Sequence, residues 1–231
     1  MAPGLLISFD GLDSSGKATQ SKLLYEHLAS QGALARYVTS PDYTTASGKE
    51  LKLRLQSKLG NWDKTTWQEK MKYFADNRAE HREEVVNTVS EGGIVVYDRY
   101  VPSSMAFMAE ESRAIGEERT KVQEAVAAYE YETNNMPHED ASLFFDIPPR
   151  VAMDLLEGRK HDRGDEAEYT DYIQVQEALY AEYLSMIDEK PGHMLHIQCM
   201  DGERLRTIAE VSQIVRTQLA QRFPDRAQLF A

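Results

Sequence analysis

The stretch Phe9-Asp10-Gly11-Leu12-Asp13-Ser14-Ser15-Gly16-Lys17-Ala18-Thr19-Gln20 decides how the rest of the chain is read. It closes an apolar run, Leu5-Leu6-Ile7-Ser8-Phe9, with the length and side chains of a buried strand. It opens into Ser21-Lys22-Leu23-Leu24-Tyr25-Glu26-His27-Leu28, where the apolar period becomes helical. Between them stands Gly11-x-x-x-x-Gly16-Lys17, the pattern of a phosphate-cradling loop. Glycines let backbone N–H groups converge on phosphate oxygens, the helix start adds partial positive charge, and Lys17 adds a full one. A tight strand-to-helix turn alone would account for the glycines but not for the lysine. Gly11, Asp13, Ser14, Ser15, Gly16, Lys17, Ala18 and Thr19 are therefore the candidate phosphate-binding residues. One position departs from the pattern: Ala18 stands where Ser or Thr would ligate Mg²⁺. Thr19 follows one step later, a rotation of about 100° on a helix, so it does not replace that hydroxyl directly.

Length and composition set the frame. The 231 residues predict one domain, 1–231, with a large core and room for a small lid. The formal charge is −12, from 26 basic and 38 acidic side chains, which opposes nonspecific nucleic-acid binding. A single cysteine, Cys199, excludes an internal disulfide and suits a reducing cytoplasm. The opening Met-Ala-Pro-Gly-Leu-Leu does not read as a signal peptide. No apolar run reaches the ~20 residues of a membrane span. The expectation is a cytoplasmic protein with no nucleic-acid or membrane partner.

Strands and helices alternate along the chain. The first helix is expected from Lys17 to about Gln31, then a strand at Leu34–Thr39 and a helix at Gly48–Leu59. Thr66-Trp67-Gln68-Glu69 has the capping-box pattern and predicts one long helix to Ser90. A strand follows at Ile94–Tyr97, a helix from Pro102, and a second one past Gly116 through Tyr131. Strands at Leu143–Asp146 and Met194–Gln198 complete five, with a helix from Pro148-Pro149 to about Leu156. Such alternation predicts an α/β architecture, a parallel sheet covered by helices on both faces. Ligands then bind beyond the carboxyl ends of the strands. That rule brings Asp10–Thr19, Pro41–Tyr43 and Asp98–Phe107 to one mouth.

Three further groups carry chemistry. Asp98-Arg99 ends a buried strand; the aspartate is placed to hold Mg²⁺ and the arginine to fork onto a phosphate. Phe74 and Arg78 share a helix face one turn apart, the spacing of a ring stacked on a base and a guanidinium reading its edge or its phosphate. The same spacing describes a core stripe with Trp67 and Met71, and both readings stand. Arg159-Lys160-His161-Asp162-Arg163 lies in the polar stretch 158–168, either a solvated loop or a cationic lid over a transferring phosphoryl group.

Taken together, these motifs resemble the thymidylate kinase family from Leu5 to about Val215. The Phe9–Gln20 stretch looks like the family's phosphate loop, and Phe74-Ala-Asp-Asn-Arg78 like its aromatic-x-x-Asn-Arg segment. Asp98-Arg-Tyr-Val-Pro-Ser-Ser-Met-Ala-Phe107 resembles its Asp-Arg-aromatic segment, Phe144–Pro149 the strand before its lid, and Tyr172 and Tyr180 the aromatics after it. The resemblance implies a P-loop NTPase fold with a five-stranded parallel sheet and a lid. It implies an ATP- and Mg²⁺-dependent kinase acting on dTMP, and a two-fold homodimer. By the same resemblance, Phe74 stacks on thymine, Arg78 contacts it, Ser104 faces it and Phe107 lies under the deoxyribose. Arg99 holds the acceptor phosphate, Asp13 meets the 3′-hydroxyl or the metal shell, and Arg159 and Arg163 supply the lid charge that Ser14 and Ser15 do not. Lys17, Asp98, Arg99, Arg159 and Arg163 are the catalytic set, with Asp98 as the metal residue. Tyr43 stands where the family usually has an arginine, and Asp10 where it has glutamate. These departures keep two alternatives open: a kinase for another deoxynucleotide such as dUMP, and a nucleotide-binding sensor with little turnover.

Overall fold

In the computed structural model, residues 3–158, 172–189 and 192–231 are described. Five parallel strands form one sheet in the order β2-β3-β1-β4-β5: β1 Leu5–Gly11, β2 Ala35–Thr39, β3 Ile94–Asp98, β4 Ala141–Asp146 and β5 Met194–Gln198. β1 lies at the centre, every residue of it buried, in register with Ile94–Asp98 on one side and Ala141–Phe145 on the other. A strand covered on both faces has to be apolar on both, which is why Leu5-Leu6-Ile7 is continuous rather than alternating.

Successive side chains feed two cores. Leu5, Ile7, Phe9, Ile94 and Val96 pack with α1 (Lys17–Ser30), α8 (Ile173–Glu189) and α9 (Ile208–Arg222). Leu6, Val95 and Tyr97 pack with α3 (Trp67–Ala79), α4 (Arg82–Ser90), α5 (Val101–Ser112) and α6 (Arg119–Ala127). Two further α-helices are α2 (Ala46–Leu55) and α7 (Pro149–Gly158). A short antiparallel hairpin, β6 Met200–Asp201 with β7 Arg204–Leu205, follows β5.

The expected parallel sheet between helical layers is present. The boundaries differ where tertiary contacts intervene. The helix expected from Thr66 to Ser90 begins with its Thr66–Glu69 capping box but breaks at Glu80-His81 into α3 and α4. No glycine or proline signals that break. Glu80 turns to accept from the Ser47 amide at 3.3 Å, and His81 reaches Asp42 at 3.1 Å. α2 starts two residues early, on a Thr45 cap that accepts from the Gly48 amide at 3.1 Å, and stops at Leu55. β4 starts at Ala141, two residues before the expected Leu143. The helix expected through Tyr131 is α6 followed by a π-helical turn, Ala128–Thr133.

Candidate active site

Beyond the carboxyl end of β1 the loop bends through Ser14 (φ 58°) and Gly16 (φ 91°) before α1 starts at Lys17. Gly16 is the N-cap in a left-handed conformation that glycine adopts without steric cost. The first-turn amides of α1 have no intrahelical acceptors and point along the axis, an anion-binding arrangement. A cleft of about 180 Å³ opens there, lined by Asp13, Ser14, Gly16, Lys17, Ala18 and Thr19, with Asp98 and Arg99 opposite. Six of the eight expected loop residues, all but Gly11 and Ser15, thus share one concave site with the Asp98-Arg99 pair. Ser15 is buried beside it, and Lys17 Nζ donates to Leu12 O at 2.5 Å and Ser15 Oγ at 3.5 Å. Burial, reinforced by the Arg99 charge, pulls the Lys17 ammonium down to about 7. Ala18 is exposed at the position where the pattern wants a hydroxyl, and Thr19 is half-buried.

Arg99 adopts a left-handed backbone (φ 66°), rare for a non-glycine residue and concentrated at functional sites. That turn sends its side chain back under the loop. Arg99 Nη2 pairs with Asp13, Nη1 donates to Gly11 O at 3.1 Å, and the guanidinium stands 5.3 Å from the centre of the Phe107 ring. Asp98 is buried at the tip of β3, its carboxylate accepting from Tyr37 Oη at 3.5 Å. Burial raises its pKa while Lys17 and Arg99 oppose the rise.

What fixes this unusual turn is Asp10, fully buried at the end of β1. Its Oδ1 accepts from the amides of Tyr100 and Ser103 at 3.3 and 3.1 Å and from Ser103 Oγ at 2.6 Å. Its Oδ2 accepts from Ser8 and Ser142 hydroxyls at 2.6 and 2.8 Å. Tyr100, the N-cap of α5, offers no capping side chain, so a carboxylate from another strand caps that helix. The sequence carried a signal for this role: one charged residue inside an otherwise uncharged strand.

A second wall, none of whose residues lines that cleft, is built from α3, α5 and the π-helical turn and joins it through Tyr100 and Phe107. Phe74 is half-buried, its ring edge-on to Trp62 with centroids 6.2 Å apart. Arg78 is 2% exposed. Its Nη1 pairs with Glu130, its Nη2 donates to Ser104 Oγ at 3.0 Å and Tyr100 O at 3.5 Å, and it lies over the Tyr100 ring. The Arg78 guanidinium does not reach solvent; it is locked inside. Glu130, itself fully buried, was missed because nothing separates it from its polar neighbours in Tyr129-Glu130-Tyr131-Glu132-Thr133.

Asn77, one residue before Arg78, ties the loop after β2 to this wall. Its Oδ1 accepts from the Asp42 amide at 2.8 Å, and its Nδ2 donates to Thr45 and Ser47 hydroxyls at 2.9 Å each. The loop passes so close that a Cβ on Gly48 would meet Asp42 O at 1.7 Å. Tyr43 is 40% exposed at its crest, with Lys52 Nζ 5.8 Å from its ring centre. Tyr180 donates to Asp146 at 2.6 Å, and Tyr172 is exposed. Arg159 and Arg163, with the rest of the lid expected at 158–168 beyond Gly158, lie outside the described residues.

The family model described as "Thymidylate kinase" matches residues 9–198. Thymidylate kinase from Caldanaerobacter subterraneus subsp. tengcongensis is 29% identical over 198 residues, covering 85% of this chain and 88% of that one. The Thermosipho africanus enzyme of the same name is 31% identical over 160 residues, 69% of this chain and 74% of its own. Among solved structures, thymidylate kinase from Candida albicans superposes with a TM-score of 0.69 at 21% identity, covering 99% of this chain and 94% of that one. That likeness establishes the shared fold, and the family match, which spans the phosphate loop, the Asp98-Arg99 turn and β5, shows that this chain belongs to the thymidylate kinase family.

Proposed function

We propose that this chain transfers the γ-phosphate of ATP to dTMP, yielding dTDP and ADP. The observation that carries the reading is the convergence of Lys17, Asp98 and Arg99 on one cleft at the phosphate loop, in a chain of this family. An oxygen of the acceptor phosphate attacks the γ-phosphorus as the bond to the β-phosphate oxygen breaks. Little covalent work falls to the protein; positioning and charge neutralisation supply the rate. Lys17 and the first amides of α1 hold the ATP phosphates. Arg99, released from Asp13, grips the acceptor phosphate, and Asp13 then meets the 3′-hydroxyl. Phe74 stacks on thymine, Arg78 and Ser104 read its edge, and Phe107 supports the sugar.

Mg²⁺ belongs to this reading. Among the described residues no group of three or more His, Cys, Asp or Glu could hold a metal by itself. A magnesium ion bound mainly by substrate phosphates needs only one or two carboxylates, and Asp98 at the cleft fits that need. When bound, Mg²⁺ would neutralise phosphate charge. Arg159 and Arg163, in a lid at 158–168 of a single domain 1–231, would cover the transferring group. A homodimer and a cytoplasmic location complete the proposal, supported by the family and by the single Cys199. No helix among the described residues is long and apolar enough to cross a membrane.

Tyr43 in place of the usual arginine is what favours the second reading, the same chemistry on dUMP or another deoxynucleotide. One assay separates them: ADP release with ATP and Mg²⁺, offering dTMP, dUMP, dCMP, dGMP and AMP in turn. Turnover chiefly on dTMP is the expected result. Preference for another monophosphate moves the specificity, and ATP binding without turnover makes the chain a sensor.

A further inference from the structure

Arg78 is held in a way that its own motif does not announce. A guanidinium buried this deeply needs an opposite charge, since an unpaired one is costly in a low-dielectric interior. Glu130 supplies it from 52 residues away, on the π-helical turn Ala128–Thr133. Had α6 continued in α-helical register, the side-chain directions past Ala128 would differ. The wider turn, closed by Asn134 N to Tyr129 O at 2.9 Å and Met136 N to Glu130 O at 3.0 Å, fixes three successive residues in different directions. Tyr129 donates outward to Asp76 on α3 at 3.0 Å, Glu130 points into the interior at Arg78, and Tyr131 donates to Glu139 at 2.7 Å. Single-turn π-bulges of this kind occur often at functional sites.

The pair is also incomplete. Arg78 Nε, a donor, and Glu130 Oε2, an acceptor, are both buried with no hydrogen-bond partner among the described residues. With Nη1 on Glu130 and Nη2 on Ser104, the guanidinium plane has no rotational freedom left.

We infer that Glu130 is a positioning residue for selection of the acceptor base, acting through Arg78. The inference rests on the reading of this site as the dTMP-binding wall. Glu130 holds the guanidinium in one orientation so that a remaining N–H meets a pyrimidine 4-oxo group. Thymine and uracil carry an acceptor there, whereas cytosine carries an amino donor that the same N–H repels. Without Glu130 the guanidinium turns toward other acceptors and the discrimination fades.

The test is steady-state kinetics of wild type and Glu130→Gln with dTMP, dCMP and ATP, alongside thermal melting. A charged hydrogen bond is worth roughly one to two decades of affinity. The expected result for Glu130→Gln is a KM for dTMP raised about 10-fold or more, with kcat and the KM for ATP within about 2-fold. The preference for dTMP over dCMP falls by a similar factor. Glu130→Asp, which keeps the charge but retracts it, restores part of the loss. Should Glu130→Gln not fold, the double variant Arg78→Met/Glu130→Leu carries the test, because replacing a buried ion pair by apolar side chains is often tolerated. It is expected to melt near wild type yet lose the base preference. Parallel rises in both KM values, or an unchanged preference in these variants, overturns the inference alone. A wild-type chain that does not distinguish dTMP from dCMP overturns the proposed function and the inference with it.

Discussion

The phosphate-loop cleft and the wall around Arg78 are made in opposite ways. The phosphate-loop wall is contiguous: Gly11 to Thr19 supplies turn, amides, lysine and helix start within nine positions. Its chemistry lies mostly in the backbone, and one side chain, Lys17, adds the charge. The second wall is assembled from α3, α5, the loop after β2 and the π-helical turn, and its chemistry lies in side chains that lock one another. Arg78 needs Glu130 and Ser104, and Asn77 needs Thr45 and Ser47. A contiguous site depends on local conformation, so it tolerates change elsewhere. A composite site depends on packing across long sequence separations, so its specificity can be lost by substitutions far from the substrate.

Lys17→Met should produce the largest effect. Removing a positioned charge from the transferring phosphates is expected to lower kcat about 10²–10³-fold, while melting temperature stays at or above wild type because a buried cation is removed. A kcat within 10-fold of wild type would place the catalytic charge elsewhere.

Phe74→Ala comes next, on the composite wall. Stacking of a base on an aromatic ring is worth about 1–3 kcal/mol, so KM for dTMP should rise roughly 10-fold or more with little change for ATP. Equal effects on both substrates would make the Phe74–Trp62 contact a matter of core packing alone.

Asn77→Ala reaches the same wall indirectly. It releases the loop Pro41–Ser47 by removing hydrogen bonds at 2.8 to 2.9 Å. The expected outcome is a KM for dTMP raised about 5- to 10-fold and faster amide hydrogen exchange at Thr44 and Gly48. Unchanged exchange would show that Gly48 packing against Asp42 holds the loop without Asn77.

The mildest effect concerns pH on the contiguous wall. Free Lys17 titrates at about 7, depressed by burial and then by Arg99. ATP phosphates beside it favour the charged form, so the bound pKa is higher and binding takes up a proton above pH 7. ATP affinity should therefore fall as pH rises from 7 to 9, by at most 10-fold per pH unit. Lys17→Arg, charged throughout, should flatten the profile in calorimetric titrations. A flat wild-type profile would mean that Lys17 stays protonated in the free protein.

Most of the fold was legible in the chain. Apolar runs at Leu5, Ile94 and Met194 gave strands, and the Thr66–Glu69 box gave a helix start at its true position. The break at Glu80-His81 was not, because the residues that cause it, Asp42 and Ser47, lie more than thirty positions away. Likewise the motif around Arg78 named the arginine but not its partner.

By itself the sequence determined what depends on neighbours along the chain: the phosphate loop, the alternation of strands and helices, and the family motifs. Local backbone preference and hydrophobic period are properties of short segments and can be read there. The tertiary structure alone decided how charge is compensated inside: Asp10 capping α5 from another strand, Asp13 pairing with Arg99, and Glu130 holding Arg78. A buried charge must find its partner wherever packing brings one, and packing follows space rather than sequence.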